Sequence, residues 1–134
     1  MPTARIEVKT TSRVELIDIT QRVRAAVRDA KVGAGLCLVY VPHTTAAITI
    51  NEHADPDVAR DVGRTLSLLV PHRGDYAHGE GNSDAHIKAA LMGNSRVVPI
   101  DGGAPLLGTW EGVFLCEFDG PRTRQVCVTV INEK

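Results

Sequence analysis

All five histidines of the 134-residue chain fall between His43 and His86, where a random placement would scatter them throughout. Around them sit Thr44, Thr45, Asn51, Glu52, Asp55, Asp61, Asp75, Tyr76, Glu80, Asn82 and Asp84. Neutral imidazole is the commonest first-row metal ligand and the usual acid–base group near neutral pH. The segment therefore offers metal ligation, proton transfer or, more plainly, a polar loop with surface histidines. Neither HExxH nor CxxC…HxxxH occurs, so spacing alone assigns no metal site.

His86 stands apart because it follows the Gly79–Ser83 stretch and falls in the first turn of a short helix. Unpaired N–H groups and a partial positive charge at that helix end favour a neutral ring and attract an anion such as phosphate. An ordinary loop and helix cap would read the same way. The segment is not a P-loop, because the terminal Lys-Ser/Thr is missing. Asn51-Glu52 ends a strand at the mouth of a helix, where a carboxylate acts as base, ligand or solvated terminus. Trp110, after Gly108-Thr109, walls a pocket or belongs to the core. No Gly-x-Ser-x-Gly supports a serine hydrolase. Cys37, Cys116 and Cys127 lie in apolar runs without CxxC spacing, and are expected to be buried reduced thiols of a cytoplasmic protein.

The elements that must hold these residues can be read from periodicity. Alternation over Arg5–Thr10 predicts a half-buried strand, and Val14–Ile17 a second. A helix is expected from Asp18 or Thr20 to about Lys31, with Ile19, Val23 and Val27 inward and Gly33 and Gly35 ending it. Leu36–Val41, apolar on both parities, predicts an internal strand covered on both faces, followed by a strand at Ala46–Ile50. Asp55-Pro56 opens a helix to about Leu69. The irregular stretch Pro71–Ser83 predicts a binding or disordered loop. A short helix follows over Asp84–Met92 with Ile87, Ala90 and Leu91 inward, then a strand at Ser95–Ile100. Trp110–Phe118 and Arg124–Ile131 are expected to form a final hairpin, with Trp110 on the same face as Phe114, Cys116 and Phe118. The order implies one α+β domain over residues 1–134, with a largely antiparallel sheet.

Composition narrows the function classes. A formal charge of −1 lacks the basic field of a non-specific nucleic-acid binder, and no apolar run approaches a membrane span. The N-terminal residues Met1–Ile6 contain no apolar stretch of the kind that marks a secretory signal.

Several blocks together resemble the YjbQ family, often called secondary thiamine-phosphate synthases. They are His43-Thr44-Thr45-Ala46, Asn51-Glu52, Asp55-Pro56-Asp57-Val58, Asp61, Pro71 and Tyr76-Ala77-His78. Asp84-Ala85-His86-Ile87-Lys88, Gly93-Asn94-Ser95, Pro99, Gly108-Thr109-Trp110-Glu111-Gly112 and Glu117 complete the pattern. Glu111 departs from it, since many relatives carry Gln there. His53 and His72 fall outside it.

The resemblance implies a distorted β-sandwich with two to three helices, assembled as a homotrimer. It implies a site near subunit boundaries made from His43, Asn51, Glu52, His78 and His86. It also implies weak thiamine-phosphate synthase activity, joining a pyrimidine methyl diphosphate to a thiazole phosphate. His43, His78 and His86 with Glu52 would suit a zinc-like ion with an open position; Mg²⁺ is the other candidate, and no organic cofactor is expected. Glu52, Asn51, His78 and Tyr76 are the catalytic candidates. Thr44, Thr45, Asn82, Ser83, Ser95, Thr109 and Trp110 are the expected substrate or anion contacts. The same set would serve a metal-dependent hydrolase of a phosphate- or amide-containing metabolite, or a non-catalytic trimeric anion binder. Partners are expected to be a small molecule and further copies of the chain, not nucleic acid or membrane.

Overall fold

A computed structural model describes residues 3–133; Met1 and Pro2, the start of the segment read as lacking a signal, lie outside them. Among the described residues eight strands and three helices follow one another in the order ββαββααββββ. The strands form two sheets, and every paired neighbour is antiparallel. In the larger sheet β1 (Thr3–Lys9), β8 (Thr123–Asn132), β3 (Gly35–Tyr40), β5 (Ser95–Asp101) and the two-residue β6 (Ala104–Pro105) lie side by side in that order. The smaller sheet is β2 (Glu15–Asp18), β7 (Glu111–Glu117) and β4 (Ala46–Glu52).

The main core lies between the inner faces of the two sheets and α1 (Thr20–Ala30). Ile6, Val8, Val39 and Val126 come from one sheet, Ile48, Val113 and Leu115 from the other, and Val23 and Val27 from the helix. Burying side chains of this size stabilises by roughly 1.5–3 kcal/mol each before entropy is counted. The α1 stripe is the expected one, but its end is not. Lys31 itself takes the left-handed conformation at φ 57°, and its N–H bonds to the Arg28 carbonyl. The turn therefore closes before Gly33 is reached. α2 (Pro56–Leu69) starts as the Asp55-Pro56 signature requires, with the Asp55 carboxylate accepting from the Asp57 N–H.

Four expectations need correction. The last two long strands are no hairpin: β7 pairs with β2 and β4, while β8 pairs with β1 and β3 in the other sheet. Strand patterning marks each as extended but carries no information on its partner. Trp110 is not in the strand; it sits in the preceding turn, 64% exposed, while β7 beyond Glu111 is buried on both parities. β3 is internal to its sheet but covered on one face only: Cys37 and Val39 are buried, whereas Leu36 and Tyr40 are exposed. Finally, α3 (Ser83–Met92) is turned about its axis from the expected orientation. Its buried face carries Asp84, Ala85, Lys88 and Ala89, and Ile87 and Leu91 point outward.

That last reversal has an electrostatic cause. Arg13 grips Asp84 with two bonds of 3.0 Å, and the Lys88 ammonium donates to the same carboxylate at 2.9 Å. Asp84 and Lys88 are essentially solvent-free. A fully paired charge triplet can be buried where an apolar pattern would predict otherwise.

Candidate functional site

The loop Pro42–Thr45 joins β3 to β4 and carries the first histidine. β3 stops pairing with β8 at the Tyr40–Cys127 register position. The Gln125 N–H, just beyond it on β8, donates instead to His43 Nε2 at 3.0 Å. The ring thus takes the place of a missing strand neighbour, and its Nδ1 carries the proton. Burial holds the His43 imidazole below its ordinary value, and the Arg124 guanidinium adds to the effect. His43 is accordingly neutral at pH 7.

Beneath this loop lies a buried ion pair that sequence reasoning did not single out as chemistry. Arg124 Nε donates to Glu117 Oε1 at 2.9 Å, and its Nη2 reaches both Glu117 Oε2 and the Thr45 hydroxyl. Thr10 Oγ1 completes the set with a 2.8 Å bond to Glu117. Burial pushes the Glu117 carboxyl up, but the bonds from Arg124, the Asp119 N–H and Thr10 outweigh it, leaving the acid ionised. The available signal was a Glu between Cys116 and Phe118 inside an apolar run, together with an Arg opening the next strand.

A polar cavity of about 370 Å³ opens over this floor, lined by His43, Thr44, Asn82, His86 and Arg122 among others. Asn82 precedes α3 and donates to Asp119 at 2.9 Å. Its side-chain oxygen is buried without a hydrogen-bond partner. Such an orphan acceptor costs free energy unless a donor arrives from outside the chain. The first turn of α3 supplies the opposite polarity. The Arg13–Asp84–Lys88 cluster anchors the helix start, with Asp119 also acting on Arg13; the polarity comes from the amides of that turn. Burial pushes the Asp84 carboxyl up, but the bonds from Arg13 and Lys88 win and bring it down to about 2.

His86 is the hub of the histidines. It lines this cavity with His43, and a second one of about 410 Å³ with Tyr76 and His78. The His78 and His86 rings meet edge to face, their centroids 5.4 Å apart. Tyr76 is tied by its hydroxyl to the Pro71 carbonyl, and the His72 ring to the Gly81 carbonyl, so the long loop is held by its own bonds. The expected three-histidine ligand set is not assembled within one chain. Among the described residues no three His, Cys, Asp or Glu side chains gather around a point that could hold a metal, and His43 Nε2 is engaged by a backbone amide.

Asn51 and Glu52 are not with the histidines. They end β4, whose start at Ala46 adjoins the His43 loop. Six steps at about 3.3 Å put them roughly 20 Å away. There Asn51 Oδ1 accepts from the Glu52 N–H, and Glu52 Oε2 accepts from the Asp55 N–H at 3.0 Å. Thr109 and Trp110 belong to the same end, the Trp110 carbonyl accepting from the His53 N–H. Glu111 closes the neighbouring turn by accepting from the Gly108 N–H at 2.8 Å, a bond a Gln oxygen could also accept. Ser83 is buried at the start of α3, and Ser95 opens β5 opposite Tyr40. Of the thiols, burial pushes Cys37 up to about 11 and Cys116 up to about 12, so both are inert at neutral pH. Cys127 is half-buried, and all three are free.

The family model described as UPF0047 protein YjbQ-like matches residues 4–133. A UPF0047 protein of Methanocaldococcus jannaschii is 51% identical over 130 residues, covering 97% of this chain and 94% of its own length. The UPF0047 protein YugU of Bacillus subtilis is 49% identical over 120 residues, covering 89% and 91%. A crystal structure of an uncharacterized conserved YjbQ/UPF0047 family protein from Clostridium acetobutylicum superposes with a TM-score of 0.94 at 51% identity, over 96% of this chain and 99% of that one. A protein of unknown function from Sulfolobus solfataricus gives 0.95 at 34% identity, over 98% and 97%.

Proposed function

The chain belongs to the YjbQ-like UPF0047 family, and from that premise we propose that it is a slow transferase of the thiamine-phosphate synthase kind. The observation that carries this reading is the cavity over the start of α3, where an orphan buried acceptor, Asn82 Oδ1, lies beside His43 and His86. In the reaction the thiazole nitrogen attacks the methylene carbon of the pyrimidine methyl diphosphate. The carbon–oxygen bond to the diphosphate breaks, and pyrophosphate leaves. The amides at the start of α3 favour the anionic end. The neutral His43 offers its Nδ1–H to a substrate oxygen, and Asn82 Oδ1 accepts from a ring amino group.

Asn51 and Glu52 reach this cavity only from a second copy. The outer face of the larger sheet favours such an assembly, since Leu36, Tyr40, Val97 and Ile131 leave a 134-residue chain with an exposed apolar surface. In the homotrimer, the histidine end of one chain meets the Asn51–Glu52 end of the next. A zinc or magnesium ion would polarise a phosphoryl oxygen, but the donors of a single chain's described residues do not fit a three-histidine site.

The test is a single incubation of purified protein with both substrates, reading thiamine phosphate and pyrophosphate together. Slow formation of both above the protein-free background, lost in His86→Ala and Asn82→Ala, is the expected result. Formation at background rate with Mg²⁺ or Zn²⁺ supplied would refute the transferase. Saturable phosphate binding without product would then leave the anion-binding reading.

A further inference from the structure

A larger cavity lies elsewhere. About 640 Å³ of space lies between β2 and α2, with Val14, Leu16, Ala59 and Phe114 among its apolar walls. That volume is typical of small-molecule sites. His53, outside the family pattern, lines it, and its Nδ1 lies 2.9 Å from Asp18 Oδ2. The pair joins residues 35 positions apart in sequence.

Both partners are held. Asp18 Oδ1 accepts from the Thr20 N–H at 2.9 Å and from the Thr20 hydroxyl. The imidazole rests on Gly112, where an added Cβ would come within 2.4 Å of Nδ1. A carboxylate at Nδ1 makes that nitrogen the donor in the neutral ring, so Nε2 is left as an acceptor. No bond to Nε2 forms among the described residues.

The remaining charges around the cavity sort themselves by what they already bind. Glu15 accepts from the Thr11 and Ser12 amides, and Asp55 caps α2. Arg60 pairs with Asp57 at 2.6 Å. Arg64 has no hydrogen bond or ion pair among the described residues. Among the charged and imidazole groups of the cavity, those left without a partner among the described residues are one acceptor, His53 Nε2, and one cation, Arg64, set against apolar walls and the Ser67 hydroxyl.

We propose that this cavity is a second ligand site, independent of the transferase reading. Its ligand class is a small organic anion: an apolar body carrying a carboxylate for Arg64 and a hydroxyl that donates to His53 Nε2. The Asp18–His53 pair acts as an oriented acceptor, and Gly112 is the seat that positions it.

The experiment titrates ¹⁵N-labelled protein with three matched probes: 4-hydroxyphenylacetate, phenylacetate lacking the hydroxyl, and 4-methylphenol lacking the carboxylate. Amide shifts at His53, Gly63 and Gly112 are followed. Saturable shifts with the first probe, at an affinity about tenfold above either of the others, are expected. His53→Ala should remove the advantage over phenylacetate, and the exposed Arg64→Ala the advantage over 4-methylphenol. His86→Ala, which disables the transferase reading, should leave all three titrations unchanged. Absence of saturable shifts at these amides, as when a second copy fills the groove, would overturn the proposal. So would equal affinity for the three probes.

Discussion

Replacing Asp84 by Asn removes one charge from a cluster that holds three. Lys88 is 1% exposed, and its ammonium donates to Asp84. Arg13, with a side chain 30% exposed, can turn to water, but Lys88 cannot. Removing the carboxylate therefore strands a desolvated cation, which costs about 3 kcal/mol or more. A second route gives a similar size. Asp84 falls from its ordinary 3.8 to about 2 in the fold, and at 1.36 kcal/mol per pH unit this is about 2 kcal/mol. Because the folded value is depressed, that contribution is complete above pH 4 or so and is lost as pH falls toward 2. Lys88→Met is the contrasting change. It deletes the buried cation, keeps most of its volume, and leaves Asp84 gripped by Arg13, so it should cost under about 1.5 kcal/mol. In the double variant Lys88→Met should rescue most of the Asp84→Asn loss. Urea unfolding at one fixed protein concentration measures all three. Equal losses for the two single variants, or additive losses in the double, would refute the placement of α3's charged face inward.

His43, held below its ordinary value by burial and Arg124, should titrate with a midpoint under 6.5 when its ring carbon is followed by NMR; a midpoint above 6.5 would contradict the neutral acceptor assigned to it. Gly35→Ala should destabilise by about 3 kcal/mol, because the new Cβ would fall 2.0 Å from the Ile131 carbonyl oxygen; thermal unfolding unchanged within about 1 kcal/mol would show that the β3–β8 contact is looser than described. Val97→Glu, on the exposed apolar face of the larger sheet, should convert the proposed trimer to monomers in light scattering without unfolding the chain; a wild-type chain that is monomeric at all concentrations would remove the basis for that expectation.

The candidate site was legible in parts. The clustering of histidines and the glycine-flanked helix start, which single out His86, are local features of chain and backbone, and the structure sets His86 in the first turn of α3 between two cavities. The polar character of the His43–Thr45 loop was legible for the same reason. The Glu117–Arg124 floor was not, since each residue alone reads as a charge at a strand end, and only the register that brings them together beneath Thr45 reveals the pair. The family resemblance groups Asn51 and Glu52 with His43 near subunit boundaries, and within one chain the extended β4 carries them to its other end.

Local sequence by itself determined a first strand, expected at Arg5–Thr10 and found at Thr3–Lys9, the inward face of α1 through Val23 and one of Ala26 and Val27, and the helix start at Asp55-Pro56, because backbone geometry maps each of these patterns onto one local conformation. Tertiary structure alone decided that β7 and β8 enter different sheets, since a strand's side-chain alternation says which face is apolar and nothing about which edge it will join. It also decided the roll of α3. Ile87 and Leu91 gave way to Asp84 and Lys88 at the buried face because Arg13, 71 positions from Asp84 in sequence, arrives to neutralise the carboxylate. The Asp18–His53 pair is of the same kind. Its two residues carry no mutual signal in the chain, and only the sheet that sets β2 and β4 on either side of β7 brings a carboxylate to an imidazole.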